Sequence, residues 1–290
     1  MSAAGALAAH SPEGAGHANR AVRADLPRAL VVGGCGGMGL ACARRMGQRY
    51  SVVLADIDLA QAQLHAARLR QEGIAATAIH CDVTRDDSVA AMVAELAAGG
   101  ALAALVHVVA LSPVAGDWRR IMAVNLPGAA RVAREVLPLL QRGVGVFVSS
   151  IAGHLAGDLR HLHALLDDPL EPGLLDALDA ALEGRIDAPR SYMVSKYGLN
   201  RLCRRLAPEW GAAGHRIVSL SPGLIATPMG EREFTASPQK YALLDRTPLR
   251  RQGGLQEVCD ALEFLCSERA SFITGTDLLI DGGITGVLSL

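Results

Sequence analysis

Lysine is nearly missing from this 290-residue chain: only Lys196 and Lys240 occur, beside 26 arginines. Aromatic side chains are scarce too, at 3%. Neither sign of charge dominates, with 28 basic groups against 29 acidic ones. A balanced charge leaves no electrostatic footprint for nucleic acid or an anionic membrane surface. No apolar run approaches the roughly 20 residues needed to span a bilayer. Met1–Ala24 lacks the basic start and apolar stretch of a secretory signal. The six cysteines (Cys35, Cys42, Cys81, Cys203, Cys259, Cys266) contain no C-x-x-C pair and read as small core residues in a reducing compartment. These absences exclude a nucleic-acid or membrane partner and point to a cytoplasmic protein acting on a small molecule.

What is present is a rhythm. Residues 1–27, rich in Ala, Gly, His and Pro, read as a flexible tail without periodicity. From residue 28 to 290, short apolar runs alternate with amphipathic stretches. Strands are expected at Ala29–Gly33, Ser51–Asp56, Ile74–His80, Ala103–Val109, Val144–Ser149, His215–Leu220 and Asp277–Ile280. Helices are expected at Met38–Arg49, Ile57–Glu72, Asp86–Ala98, Asp117–Gln141, Ser191–Gly211 and Leu255–Ser267. Strand alternating with helix predicts a single α/β domain, a Rossmann-like doubly wound parallel sheet. The leucine-rich, acidic segment 154–190 breaks the rhythm and predicts a helical insertion before the next helix.

Between the first strand and the first helix lies Val32-Gly33-Gly34-Cys35-Gly36-Gly37-Met38-Gly39. Glycines there allow a tight turn and let a pyrophosphate approach the backbone, while the helix N-terminus offers free N–H groups and partial positive charge. No Lys-Ser or Lys-Thr follows, which excludes a nucleoside-triphosphate loop. The second strand ends in Asp56, 17 positions after Gly39. A carboxylate there accepts hydrogen bonds from an adenosine ribose and repels a 2′-phosphate. With Ile57 next and no basic residue in the loop, NAD is preferred over NADP. Asp56 reads alternatively as a helix cap, and Asp82 either as an adenine contact or as a cap of the next turn.

The chemistry is expected from Tyr192-Met193-Val194-Ser195-Lys196 on a helix, where residues four apart share a face. An unperturbed phenol, with a pKa near 10, is about 0.1% ionised at pH 7. A neighbouring ammonium favours the phenolate and makes proton exchange with an alcohol feasible. With four tyrosines and two lysines in the chain, such a pair arises by chance at about 3%. A compact ammonium survives here in a chain that otherwise writes its cations as arginine, whose planar fork would not replace it.

Taken together, these motifs resemble the short-chain dehydrogenase/reductase family over nearly the whole chain from Ala29 to Gly283. Gly33, Gly37 and Gly39 match its glycine loop, and Tyr192 and Lys196 its Y-x-x-x-K pair. Ser150 matches its active-site serine and Asn125 its relay asparagine. Ser221-Pro222-Gly223 with Thr227 is similar to its nicotinamide-binding turn, and Asp281-Gly282-Gly283 to its last strand. The resemblance implies an NAD(P)(H)-dependent oxidoreductase interconverting a secondary alcohol and a ketone. The catalytic set would be Asn125, Ser150, Tyr192 and Lys196. Cofactor contacts would come from Gly33, Gly37, Met38, Gly39, Asp56, Asp82, Val83, Lys196, Pro222, Gly223 and Thr227.

Three departures stand out. Val32 replaces an opening threonine, and His107-Val108-Val109-Ala110 stands where the family has Asn-Asn-Ala-Gly. About 42 residues separate Ser150 from Tyr192, where about a dozen are usual. That insertion resembles the hydroxysteroid dehydrogenase/carbonyl reductase branch and covers the usual dimer face, which leaves the family's homodimer or homotetramer to be tested. The apolar segment 228–250 is expected to be a substrate lid, and the substrate to be hydrophobic and steroid-like. A catalytically silent dinucleotide sensor of the same fold is the alternative. His161-Leu162-His163 brings no further ligand at suitable spacing, so no metal is expected.

Overall fold

The computed structural model describes residues 26–227, 230–231, 234–235, 237 and 239–289. Nearly all of the expected tail, and part of the expected lid, lie outside the described residues.

Seven strands form one parallel sheet: β1 (Arg28–Val32), β2 (Ser51–Asp56), β3 (Ala76–His80), β4 (Leu102–His107), β5 (Leu140–Val148), β6 (Arg216–Pro222) and β7 (Asp277–Ile280). Their order is β3-β2-β1-β4-β5-β6-β7. The chain therefore winds outward from β1 in one direction and returns to wind the other way from β4. Between these two halves, at the carboxyl ends of β1 and β4, the loops diverge and leave a crevice. Val32 there pairs in register with His107 on one side and Ala55 on the other.

Helices cover both faces because strand side chains alternate. Ala29 and Val31 belong to one apolar core, Leu30 and Val32 to the other. The first core is closed by α1 (Gly37–Met46) and α2 (Leu59–Gln71), whose inward residues are Cys42, Ala43 and Met46, then Ala62, Ala66 and Leu69. The second is closed by α3 (Asp86–Ala98), α4 (Trp118–Asn125) and α5 (Pro127–Val136). One continuous helix over Asp117–Gln141 is not what forms. The Asp117 carboxylate caps α4 through the Arg119 and Arg120 amides. Pro127, without an N–H, then starts a new helix after Leu126. β5 begins at Leu140, four residues earlier than expected.

After β5 comes a single turn, α6 (Ile151–His154), and then the inserted segment, which forms α7 (His163–Asp167) and α8 (Leu174–Ala181). Leu159, Leu162, Leu166 and Leu178 are fully buried, which accounts for the leucine content. The segment lies on α9 (Ala188–Ala212), where the Arg201 guanidinium grips both oxygens of Asp167 at 2.7 and 2.8 Å and Tyr197 shares a 2.7 Å hydrogen bond with His163. Gly198 lets α9 approach the α4–α5 junction closely, since a Cβ there would stand 2.6 Å from Leu126. The remaining helices are α10 (Gln239–Arg246), α11 (Leu255–Leu265) and α12 (Ile284–Leu288). Val258, Cys259 and Leu262 of α11 complete the first core.

Candidate active site

A cavity of about 550 Å³ opens at the carboxyl ends of the central strands. Its floor is the glycine loop. Gly33 has φ +91°, and a Cβ there would lie 2.9 Å from the Val109 amide nitrogen. Gly39 packs so closely under the loop that a Cβ would penetrate the Gly33 carbonyl oxygen. The first turn of α1 carries no acidic residue and no side-chain cap, which leaves its amides available to an anion. Gly33, Gly36, Gly37, Met38 and Gly39 all line the cavity.

Asp56 stands at the edge of this floor. One oxygen accepts the Cys35 N–H at 2.9 Å and the other the Asp58 N–H at 3.1 Å, so the loop and the end of β2 hold the carboxylate in place. Capping of α2 falls to Asp58, whose side chain accepts the Gln61 N–H at 3.0 Å. Cys35 is the one cysteine that is not buried. Burial of the thiol, with the charges of Asp56 and Asp58, pushes it up to about 12, which makes it a poor nucleophile.

The opposite wall comes from β5 and α9. Ser150, two residues past β5, caps α6, its hydroxyl oxygen accepting the Ala152 N–H at 3.2 Å. Tyr192 and Lys196 sit one turn apart on α9, with the Lys196 Nζ 5.8 Å from the centre of the Tyr192 ring. Lys196 is 1% exposed and donates to the Val148 carbonyl at 2.8 Å. Burial lowers its pKa to about 7, with no carboxylate among the described residues to offset it. Ser150, Tyr192, Lys196, Pro222, Gly223 and Thr227 all face the same cavity.

Three of the residues singled out in the sequence do not reach it. Asn125 is fully buried behind the wall. Its amide accepts the Leu111 N–H at 2.8 Å, donates to the Leu111 carbonyl at 3.0 Å and donates to the Ser195 hydroxyl at 3.2 Å. Asp82 turns to Thr84, accepting both its N–H and its hydroxyl. Val83 is buried against Gly128. Two further groups support α9 without having been singled out. The Ser149 hydroxyl donates to the Lys196 carbonyl at 3.1 Å, and the Ser195 hydroxyl donates to the Tyr192 carbonyl at 2.8 Å. Their only signal in the sequence is position: one precedes Ser150, the other Lys196. The far wall is mostly apolar, with Pro113, Leu155, Met193, Phe234 and Leu243.

Two family profiles match the chain, described as short chain dehydrogenase over residues 27–161 and Enoyl-(Acyl carrier protein) reductase over residues 178–285. The interval between them falls inside the inserted segment. A short-chain dehydrogenase/reductase of Alternaria brassicicola is 34% identical, covering 90% of this chain and 96% of its own. The chain belongs to the short-chain dehydrogenase/reductase family. Among other family members, a cyclopentanol dehydrogenase of Comamonas testosteroni is 31% identical over 88% of this chain and 96% of its own length. A solved 7α-hydroxysteroid dehydrogenase, in complex with NADH and 7-oxo glycochenodeoxycholic acid, is 25% identical with a TM-score of 0.70, covering 90% of this chain and 95% of that one. This short-chain dehydrogenase/reductase is thus an oxidoreductase of Rossmann fold, from a family that binds NAD(P)(H). Among the described residues no helix is long and apolar enough to cross a membrane.

Proposed function

We propose that this protein interconverts an apolar cyclic secondary alcohol and its ketone, using NAD in preference to NADP. The observation that carries the reading is the convergence of the glycine floor, Asp56, Ser150, Tyr192 and Lys196 on one cavity with an apolar far wall. The glycine loop and the α1 amides suit a pyrophosphate, the Asp56 carboxylate an adenosine ribose, and Pro222, Gly223 and Thr227 the nicotinamide side. When bound there, the dinucleotide supplies the hydride acceptor or donor for the substrate carbon.

The protein's own part is positioning and proton handling. Ser150 donates its hydroxyl proton to the substrate oxygen, which its role as backbone acceptor leaves free to do. Tyr192 takes the proton from the alcohol during oxidation and returns it during reduction. Lys196, one helical turn away, favours the phenolate by its charge. Asn125 acts from behind, fixing Leu111 to the catalytic helix through Ser195. The apolar wall excludes water and selects a hydrocarbon ring, a choice in keeping with a cyclopentanol dehydrogenase and a 7α-hydroxysteroid dehydrogenase as relatives. Phe234 and Leu243, which line the cavity, would form the inner face of a lid over residues 228–250, with Tyr241 in edge contact with Phe234 at 5.0 Å.

The test is reduced-nicotinamide absorbance with NAD and NADP over cyclic alcohols from cyclopentanol to hydroxysteroids. Tyr192→Phe is expected to lower kcat by about 10²–10⁴-fold while the protein still binds NADH. A variant keeping a tenth or more of the wild-type rate would remove Tyr192 from the reaction.

A further inference from the structure

His107, the last residue of β4, is fully buried, and neither of its ring nitrogens has a hydrogen-bond partner within the protein. Among the described residues no other buried side chain leaves two polar atoms unmatched. Each such atom is costly to leave unmet, and an apolar ring of the same shape would avoid that cost. The ring stacks on Phe147, its register neighbour on β5, at 5.4 Å and 22°. Phenylalanine would serve that stack equally well, so packing alone does not explain an imidazole.

The surroundings do explain it. Phe147 precedes Val148, whose carbonyl holds the Lys196 Nζ. Burial, with the charge of nearby Lys196 adding to it, lowers the imidazole to about 3 and keeps it neutral at working pH. Among the described residues, the titratable groups about Lys196 are Tyr192 on its own helix and His107 on β4. β5 presents the Val148 carbonyl to its Nζ, and Ser149 just after the strand presents its hydroxyl to the Lys196 backbone carbonyl, while the Asn125 amide of α4 bonds the neighbouring Ser195 hydroxyl. A neutral imidazole offers one lone pair and one N–H. An ammonium that has given one donor to Val148 keeps two more.

We propose that His107 is a positioning residue that holds Lys196 protonated through buried water, the water accepting from Lys196 Nζ and donating to the imidazole lone pair. Such a bridge works against the burial that pulls the lysine down. No bond other than hydrogen bonds forms or breaks, and no charge is created. The proposal rests on the catalytic reading of Tyr192 and Lys196, yet it is tested without turnover.

With two lysines in the chain, ¹³C-lysine NMR gives two side-chain signals, and Lys240→Arg identifies Lys196. The titration is followed in wild type, His107→Phe and His107→Asn. His107→Phe is expected to be at least as stable as wild type and to lower the Lys196 pKa by about one pH unit, a tenfold change in protonation constant. His107→Asn, which keeps an acceptor and a donor, is expected to restore it to within about twofold. In activity, the rising limb of kcat/KM for alcohol oxidation is expected to move upward in His107→Phe by a similar amount, with the KM for NAD unchanged. An unchanged Lys196 titration in His107→Phe overturns the proposal, as does an equal shift in both variants. If His107→Phe does not fold, the Asn variant alone decides: retention of the wild-type titration supports the bridge, and the lower value refutes it. A shifted titration with no alcohol turnover in the wild type would instead count against the dehydrogenase reading.

Discussion

Replacing Lys196 by methionine is expected to stabilise the nucleotide-free protein at low pH and to do so less as pH rises. The lysine is 1% exposed, and burial alone brings it from 10.5 to about 7. At about 1.4 kcal/mol per pH unit, a fully protonated Lys196 then costs the fold up to about 5 kcal/mol at pH 6. Here the unfolded state binds the proton more tightly, so stability rises with pH between about 7 and 10.5. Between pH 6 and 8.5 the wild type should gain about 2 kcal/mol from this group alone. Methionine fills the same space without charge but leaves the Val148 carbonyl without its donor, a loss of about 1–3 kcal/mol. The net expectation at pH 6 is a variant about 2–4 kcal/mol more stable, the advantage shrinking by about 2 kcal/mol at pH 8.5. Buried cysteines act in the opposite sense above about pH 8.5. Cys81 and Cys266 are pushed up to about 12 and Cys203 is also raised, so their contribution is present at low pH and lost as the unfolded thiols ionise. Both proteins share that effect, and the difference between them cancels it. Urea unfolding at pH 6, 7 and 8.5 provides the measurement. A difference that does not change with pH, or a variant less stable at pH 6, would refute the assignment of Lys196 as a buried, unbalanced cation.

Three further outcomes are expected. Gly39→Ala places a methyl group into the Gly33 carbonyl; the loop must shift, and NADH affinity by fluorescence titration should fall at least about tenfold, with a stability loss of about 1–3 kcal/mol. Asp56→Asn keeps an acceptor for the loop amides but removes the charge, and the NAD-to-NADP ratio of kcat/KM should drop by about tenfold or more, whereas an unchanged ratio would assign Asp56 to loop support alone. Asp167→Ala breaks the bidentate pair to Arg201; it should loosen α7 from α9, seen as faster hydrogen exchange at Leu162–Leu166, while leaving the Tyr192-dependent rate within about twofold.

The inserted segment shows where reading by residue type runs out. Its leucines announce burial, and α7 and α8 are the helices their spacing implies. The docking of α7 depends on Tyr197 and Arg201, more than 30 positions downstream, and that of α8 on Arg119, more than 50 positions upstream. The split between α4 and α5 was visible as Leu126-Pro127 in hindsight, yet a proline at the start of a helix and one inside it differ only by where the preceding turn ends. Asn125 and Asp82 carried the right residue type for a ligand contact, and the neighbouring backbone of Leu111 and Thr84 claimed them.

The amino-acid order by itself determined the alternation of strand and helix, the glycine loop and the tyrosine–lysine pair. Each depends on conformational or chemical rules that act over a few residues: side-chain periodicity, freedom at φ, and one helical turn between phenol and ammonium. Only the tertiary structure decided that Asp56, Ser150 and Lys196 share one cavity, that Lys196 loses its solvent and so its ordinary proton affinity, and that His107 is buried with two unpaired nitrogens. Those properties belong to neighbours about 40 to 140 positions apart in the chain, brought together by the parallel sheet. Burial and electrostatic coupling are functions of distance in space, which no local pattern encodes.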